Sequence, residues 1–420
     1  MGYARRIMDE ELDELMAGLP AVAIEGAKGV GKTATASARA DRVISLDSAA
    51  TREILEADPD LALADARTTF IDEWQYVPDV WNLVRHAVDN GAPPGRFLLA
   101  GSAMPRPDSE LHSGAGRIVR LMLRPMSLPE RAIETPTVSM RALLSGSADI
   151  AGTTNVTTAD YAEEIVASGF PGIRSSAPKV RARLLDSYVD RIVDHDIADM
   201  GATVRRPASL KQWLTAYGIA TATTASYASL LSAATPGEDV KPSKPTALGY
   251  RDLLQRMWVL DPVPAWRPIL TSLKALGQAP KHHLVDPALA ARLAGVTVDS
   301  LLRGGGPDVG QGVFLGALFE SLTAQTVRVM AQACDARVSH ARLQGGQHEV
   351  DLIVEGPELK VLAIEVKLST AVRPADVAQL NWLETQMPGR VIDKVLINTG
   401  TYAYRRKDGV AVVPLALLGL

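Results

Sequence analysis

The octapeptide Gly26-Ala27-Lys28-Gly29-Val30-Gly31-Lys32-Thr33 constrains this chain more than any other feature. It fits G-x-x-x-x-G-K-[ST], follows the apolar run Ala21-Val22-Ala23-Ile24 and precedes an alanine-rich helical segment, which is the strand–loop–helix context the motif needs. Glycines let the backbone curl so that the N–H groups of Gly26 to Gly31 turn toward phosphates. The helix N-terminus beyond adds positive potential. Lys32 is expected at the β- and γ-phosphates of ATP, and Thr33 on Mg²⁺.

A second half follows about forty residues on, at Phe70-Ile71-Asp72-Glu73. An acid ending a buried strand holds Mg²⁺ through water, here Asp72, and Glu73 is placed to polarise the attacking water. Ser102 ends the next strand, Arg96 to Ser102; it reads either as a γ-phosphate contact or as a common strand ending. Arg117, in His112-Ser113-Gly114-Ala115-Gly116-Arg117, reads as a surface arginine or as one serving a neighbouring subunit's γ-phosphate, which implies a homo-oligomer. Trp74 and Trp81 read as packing residues. Val43 to Leu46 is a further strand candidate, and Val80 to Asn90 a helix. Short apolar strands alternating with helices predict an α/β class with a parallel sheet covered on both faces.

The 420 residues suit two or three domains. A net charge of −4 excludes bulk attraction to polyanions, so contact with DNA or RNA requires a local patch. The single cysteine, Cys334, fits a reducing cytoplasm. Asp9, Glu10, Glu11, Asp13 and Glu14 argue against a signal peptide, and no apolar run reaches membrane-spanning length, so neither export nor a membrane partner is expected.

From about residue 158 to 270 the pattern is helical, with a loop or wing expected at Thr235 to Pro245 and a helix from Thr246 to Leu260. Lys241, Lys244, Arg251 and Arg256 near Tyr250 suit either a winged helix touching DNA phosphates or an ordinary packing module. Arg405-Arg406-Lys407 beside Tyr402 and Tyr404 is a smaller basic cluster. After a boundary at 271–278 come a strand-like His282 to Val285 and a long helix from Gly312 to Ala333. Strands at Glu349 to Val354 and Val361 to Val366, a helix at Pro374 to Gln386 and a strand at Lys394 to Asn398 complete a second α/β unit.

Asp351 on one strand and Glu365-x-Lys367 on the next form D-x(13)-E-x-K, with Glu365 and Lys367 on one face by strand alternation. Burying these charges is costly unless they act together. Two acids holding Mg²⁺ or Mn²⁺ and a lysine orienting water suit phosphodiester hydrolysis, with Glu320 on the apolar preceding helix as a further metal contact. The plainer reading is a hairpin with a Glu365–Lys367 surface pair.

The order of these motifs resembles prokaryotic AAA-plus-like ATPases carrying a C-terminal domain of unknown function (type 4143) with a PD-(D/E)XK nuclease-like core. The residues behind this are Gly26 to Thr33, Phe70 to Glu73, Leu99 to Ser102, Gly114 to Arg117, Leu123 to Ser127, Gly169-Phe170-Pro171, Lys281 to Asp286, Gly316 to Glu320, Glu349-Val350-Asp351 and Glu365-Val366-Lys367. The resemblance implies an ATPase domain at 1–130, a helical region at 131–205, a winged-helix-like module at 206–270 and a restriction-endonuclease-like α/β domain at 271–420. Two functions are expected to compete: an ATP-dependent, metal-dependent nuclease, and an ATP-driven regulatory protein whose C-terminal domain only recognises DNA or a protein partner.

Overall fold

The run Ala21-Val22-Ala23-Ile24 is wholly buried, and a strand apolar on both faces belongs in the middle of a covered sheet. In the computed structural model, which describes residues 3–62, 67–104, 114–199, 204, 206–234, 244–268, 279–303, 310–343 and 346–420, that is its place. The first of two units comprises Met1–Pro125, Asp194–Arg205 and Asp252–Val259. Its strands are β1 (Ala21–Glu25), β2 (Arg42–Ser45), β3 (Thr69–Asp72), β4 (Phe97–Gly101) and β5 (Val119–Met122). They form a parallel sheet in the order β2-β3-β4-β1-β5. Helices α1 (Met8–Gly18), α2 (Lys32–Ser37), α3 (Ala49–Ala57) and α4 (Asp79–Asp89) belong to the same unit.

Register places the chemistry at one edge. Glu25 pairs with Gly101, and Asp72 with Ala100, so the residues following β1, β3 and β4 emerge together at their C-terminal ends. Trp74 and Trp81, with ring centroids 4.8 Å apart, pack beneath that edge against Ile71, Val84 and Leu99. They are packing residues, as the sequence suggests.

The second unit comprises Met126–Val193, Arg206–Arg251 and Leu260–Leu420. It holds β6 (Val138–Ser139), β7 (Gly152–Thr153), β8 (Arg337–Arg342), β9 (Glu349–Glu355), β10 (Val361–Val366), β11 (Val391–Asn398), β12 (Tyr402–Arg405), β13 (Ala411–Pro414) and β14 (Leu418–Gly419). Seven of these form a mixed sheet, β7-β12-β13-β11-β10-β9-β8, in which β10, β11 and β13 are parallel, while β14 pairs with β6. One face packs Val350, Ile353, Val361 and Leu396 against Leu380 and Leu383 of the helix Ala378–Gln386.

Asp286, fully buried, caps the helix Pro287–Leu293 through Ala288 N–H at 2.8 Å. Its other oxygen accepts Ser168 Oγ at 2.8 Å and Gly169 N–H at 2.7 Å. This gives Gly169-Phe170-Pro171 and the Lys281 to Asp286 segment a shared structural purpose.

Two expectations change. His282 to Val285 is not a strand: it makes isolated bridges only, Leu284 to Leu260 and Lys281 to Val263. The helix expected at Thr246 to Leu260 runs instead over Lys244–Arg256. Of the region 206–270, Arg206–Arg251 and the residues from Leu260 on belong to the second unit, and Asp252–Val259 to the first. Of the wing expected at Thr235 to Pro245, residues 235–243, Lys241 among them, lie outside the described residues, while Lys244 and Pro245 open the helix Lys244–Arg256; residues 206–234 contribute helices Pro207–Ile219 and Tyr227–Ala234.

Candidate functional site

The loop after β1 owes its shape to three glycines with positive φ: Gly26 (150°), Gly29 (80°) and Gly31 (109°). At Gly26 a Cβ would lie 2.2 Å from the Leu123 carbonyl oxygen, so only glycine fits. Lys32, the first residue of α2, folds back over the loop and donates to the Gly26 and Ala27 carbonyls at 2.8 and 2.9 Å. Burial pulls its ammonium down to about 8, against the pull of Glu73 and Asp72, which favour the charge.

Thr33 Oγ1 donates to Asp72 Oδ2 at 2.7 Å. The hydroxyl at the start of α2 and the carboxylate ending β3 are thus brought together across the sheet edge. Burial raises Asp72, with Glu73 adding to that effect, and the Thr33 bond works against it. These are hard oxygen donors that suit Mg²⁺. Glu73 has left-handed backbone angles (φ 54°, ψ 40°), sharply re-aiming its side chain just beyond the strand. Its Oε2 accepts from Ser102 Oγ at 2.6 Å and from Gln75 Nε2. Ser102 therefore sits at the edge as expected, and its hydroxyl is engaged with Glu73.

The C-terminal acids also converge, around Lys281, which the sequence marks only as the start of the Lys281 to Asp286 segment. The register that sets Ile364 opposite Leu352 brings Glu365 beside Asp351. Lys281, its side chain only 2% exposed, directs its ammonium at Glu320 (2.8 Å), Glu349 (2.9 Å) and Asp351 (2.8 Å). Asp351 gives its second oxygen to Val366 N–H at 2.9 Å. Lys367 Nζ donates to Glu365 Oε1 at 2.6 Å, and Glu365 Oε2 is buried without a partner. Burial alone would lower Lys281, but Asp351, Glu320 and Glu349 outweigh it and hold the ammonium well above its usual range. Burial and the Asp351 charge push Glu320 and Glu365 up to about 8. Asp351 is held below the usual carboxylate range, since Lys281 and Lys367 outweigh its burial.

Residues 19–132 match the family described as "AAA domain". Together with the loop geometry, that match makes the first unit a P-loop ATPase domain. Residues 315–418 match "Domain of unknown function (DUF4143)", and residues 158–300 match "Domain of unknown function (DUF8612)". Uncharacterized proteins of Mycobacterium tuberculosis and Mycobacterium bovis are each 24% identical over 270 residues, which is 64% of this chain and 53% of theirs. The chain thus spans about half the length of the curated relatives it matches. Among solved structures, the Walker-type ATPase of Pyrococcus abyssi is 14% identical, with 70% of this chain and 98% of that one covered and a TM-score of 0.41. The Aeropyrum pernix ORC2 protein, in ADPNP–ADP complexes, is 14% identical, with 72% and 96% covered and a TM-score of 0.31. Likenesses of this size leave the fold to be judged from its own strand order.

Two further contacts support the phosphate loop. Arg6 donates to Val30 O at 2.9 Å and Arg124 O at 2.8 Å, bracing the loop from behind. Lys28, within the motif, pairs with the buried Asp196 at 2.7 Å. Arg117 pairs with Asp89 at 2.9 Å and its side chain is 46% exposed. In the Arg405–Lys407 cluster, Arg405 is held by both oxygens of Asp393, and Arg406 by Asp408, which lowers the local positive charge. Arg251 lies over the Tyr227 ring at 5.2 Å. No helix among the described residues is long and apolar enough to cross a membrane.

Proposed function

We propose that this chain hydrolyses ATP with Mg²⁺ in its first unit, and that its C-terminal domain holds a nucleic-acid or protein partner without cutting it. The ATPase reading is carried by the 2.7 Å Thr33–Asp72 contact beside the buried Lys32 ammonium. On nucleotide binding, Lys32 exchanges the Gly26 and Ala27 carbonyls for phosphate oxygens. Thr33 and Asp72 would hold Mg²⁺, which neutralises charge developing on the phosphates. Glu73 turns from Ser102 and Gln75 to accept a proton from the attacking water. In a homo-oligomer Arg117 would leave Asp89 for a neighbour's γ-phosphate. Lys32→Ala should lower ATP turnover by at least roughly 100-fold, a loss typical of removing a charge-stabilising group; unchanged turnover would sink the reading.

The non-cutting reading rests on Lys281 lying inside the carboxylate cluster. A second reading, a metal-dependent nuclease, has its own support: Asp351, Glu365 and Lys367 lie side by side, with Glu365 Oε2 unpartnered. Nicking assays on DNA and RNA with Mg²⁺ or Mn²⁺, with and without ATP, separate the two. We expect no cutting; cutting that Asp351→Ala abolishes would establish the nuclease.

A further inference from the structure

We propose that the Lys281 ammonium is a built-in replacement for a divalent cation in the C-terminal carboxylate cluster, so that this cluster takes no metal. The proposal deepens the non-cutting reading above, on which it rests, and concerns what occupies the site.

The geometry carries it. An ammonium has three N–H donors, and Lys281 has three carboxylate acceptors, at 2.8, 2.9 and 2.8 Å. Those oxygens come from two elements: Glu320 on the helix Gly310–Gln332, and Glu349 and Asp351 on β9. Their point of convergence is occupied by nitrogen. Oxygen ligands to Ca²⁺ stand at about 2.3–2.6 Å and to Mg²⁺ at about 2.0–2.1 Å, so a metal here would need to expel the ammonium and draw the oxygens inward. Expulsion leaves a cation with no acceptor in a side chain that is 98% buried, which is costly. The other oxygens of Asp351 and Glu365 are engaged but for one. Asp351 Oδ2 accepts the Val366 N–H, Glu365 Oε1 accepts Lys367, and Glu365 Oε2 stands alone. With the ammonium in place, no group of three His, Cys, Asp or Glu side chains among the described residues is arranged to hold a metal. Lys281 is itself fixed: its backbone N–H and C=O both pair with Val263, at 2.9 and 3.0 Å. The ammonium is therefore presented by an anchored backbone and is not a wandering surface side chain.

The test is Mn²⁺ uptake by the full chain without nucleotide, followed by electron paramagnetic resonance, in wild type, Asp351→Asn, Lys281→Met and the double variant. Asp351 dependence separates this site from any Mn²⁺ held at the phosphate loop. Wild type should show no Asp351-dependent uptake below about 1 mM, the weak end of protein sites for such ions. Lys281→Met, which removes the ammonium and keeps an apolar stem, should gain about one Mn²⁺ per chain through three converging carboxylates, and the double variant should lose it. Asp351-dependent uptake by wild type overturns the proposal, as does a folded Lys281→Met that takes no Mn²⁺. Should Lys281→Met fail to fold, the wild-type titration decides alone: Asp351-dependent uptake overturns the proposal, and its absence upholds it. Cutting and ATP turnover are separate measurements, so failure of either functional reading is distinguishable from failure here.

Discussion

Ser102 Oγ donates a 2.6 Å hydrogen bond to Glu73 Oε2, linking the residue after β4 to the residue after β3. The proposed general base is therefore held by a neighbour, and each partner has a separable effect. Glu73→Gln removes the base and should lower kcat by about 10²–10⁴-fold, the usual range for general acid–base catalysis. ATP affinity should be retained. Ser102→Ala removes one hydrogen bond, worth about 0.5–1.5 kcal/mol, and should lower kcat by up to about tenfold. Steady-state turnover with nucleotide affinity measured in parallel checks both. Equal loss in the two variants would mean that Ser102 acts on the substrate directly.

The Thr33–Asp72 contact at 2.7 Å places a hydroxyl and a carboxylate on one prospective metal. Chelating Mg²⁺ should stop turnover. Thr33→Ala should raise the Mg²⁺ needed for half-maximal rate by about 10- to 100-fold, as loss of a metal-supporting contact does elsewhere. A Mg²⁺ titration of the two proteins reads this, and superimposable curves would remove Thr33 from the metal site.

The front site was legible because its chemistry is local. One octapeptide shapes the loop, and Asp72 and Glu73 end a strand whose apolar run is plain; the sheet register then brings these pieces to one edge. The C-terminal strands β9 and β10 were legible for the same reason, as was the neighbouring of Asp351 and Glu365. Lys281 was not, because its meaning depends on contacts 39, 68 and 70 residues away in sequence, to Glu320, Glu349 and Asp351. Periodicity cannot report such contacts. Arg6 escaped similarly: it ties Val30 of the loop to the carbonyl of Arg124, 118 residues distant from it. The short strands β6, β7 and β14, two residues each, have no pattern long enough to read.

Gly26 offers a stability test of the loop. Its φ of 150° is one that L side chains rarely adopt, and a Cβ there meets backbone, the Leu123 carbonyl oxygen at 2.2 Å. Backbone cannot swing aside as a flexible side chain can. Gly26→Ala should cost about 1–3 kcal/mol from overpacking, lowering Tm by about 2–10 °C at the scale expected for a unit of this size, and should weaken ATP binding at the same time. Thermal unfolding with and without ATP checks it. An unchanged Tm with full ATP-dependent stabilisation would contradict the loop geometry.

His283 gives the fold a definite pH response. It is fully buried, with Nδ1 3.1 Å from Ser321 Oγ. Burial, then the charges of Lys281 and Arg328, pull its imidazole from 6.5 to about 3, against a smaller opposing effect of Asp261. The folded protein thus resists a proton that the unfolded chain accepts. Stability from this residue is present above pH 6.5 and is lost progressively as pH falls toward 3. The slope is about 1.4 kcal/mol per pH unit for one proton. Glu320 and Glu365, raised from 4.5 to about 8, act with opposite sign between those values, so wild type alone would blend the effects. His283→Gln isolates the histidine. Denaturant midpoints at pH 7, 6 and 5 should show wild type losing stability relative to the variant by about 1.4 kcal/mol per unit below pH 6.5. Parallel pH profiles would mean that His283 takes up its proton without unfolding the site around it.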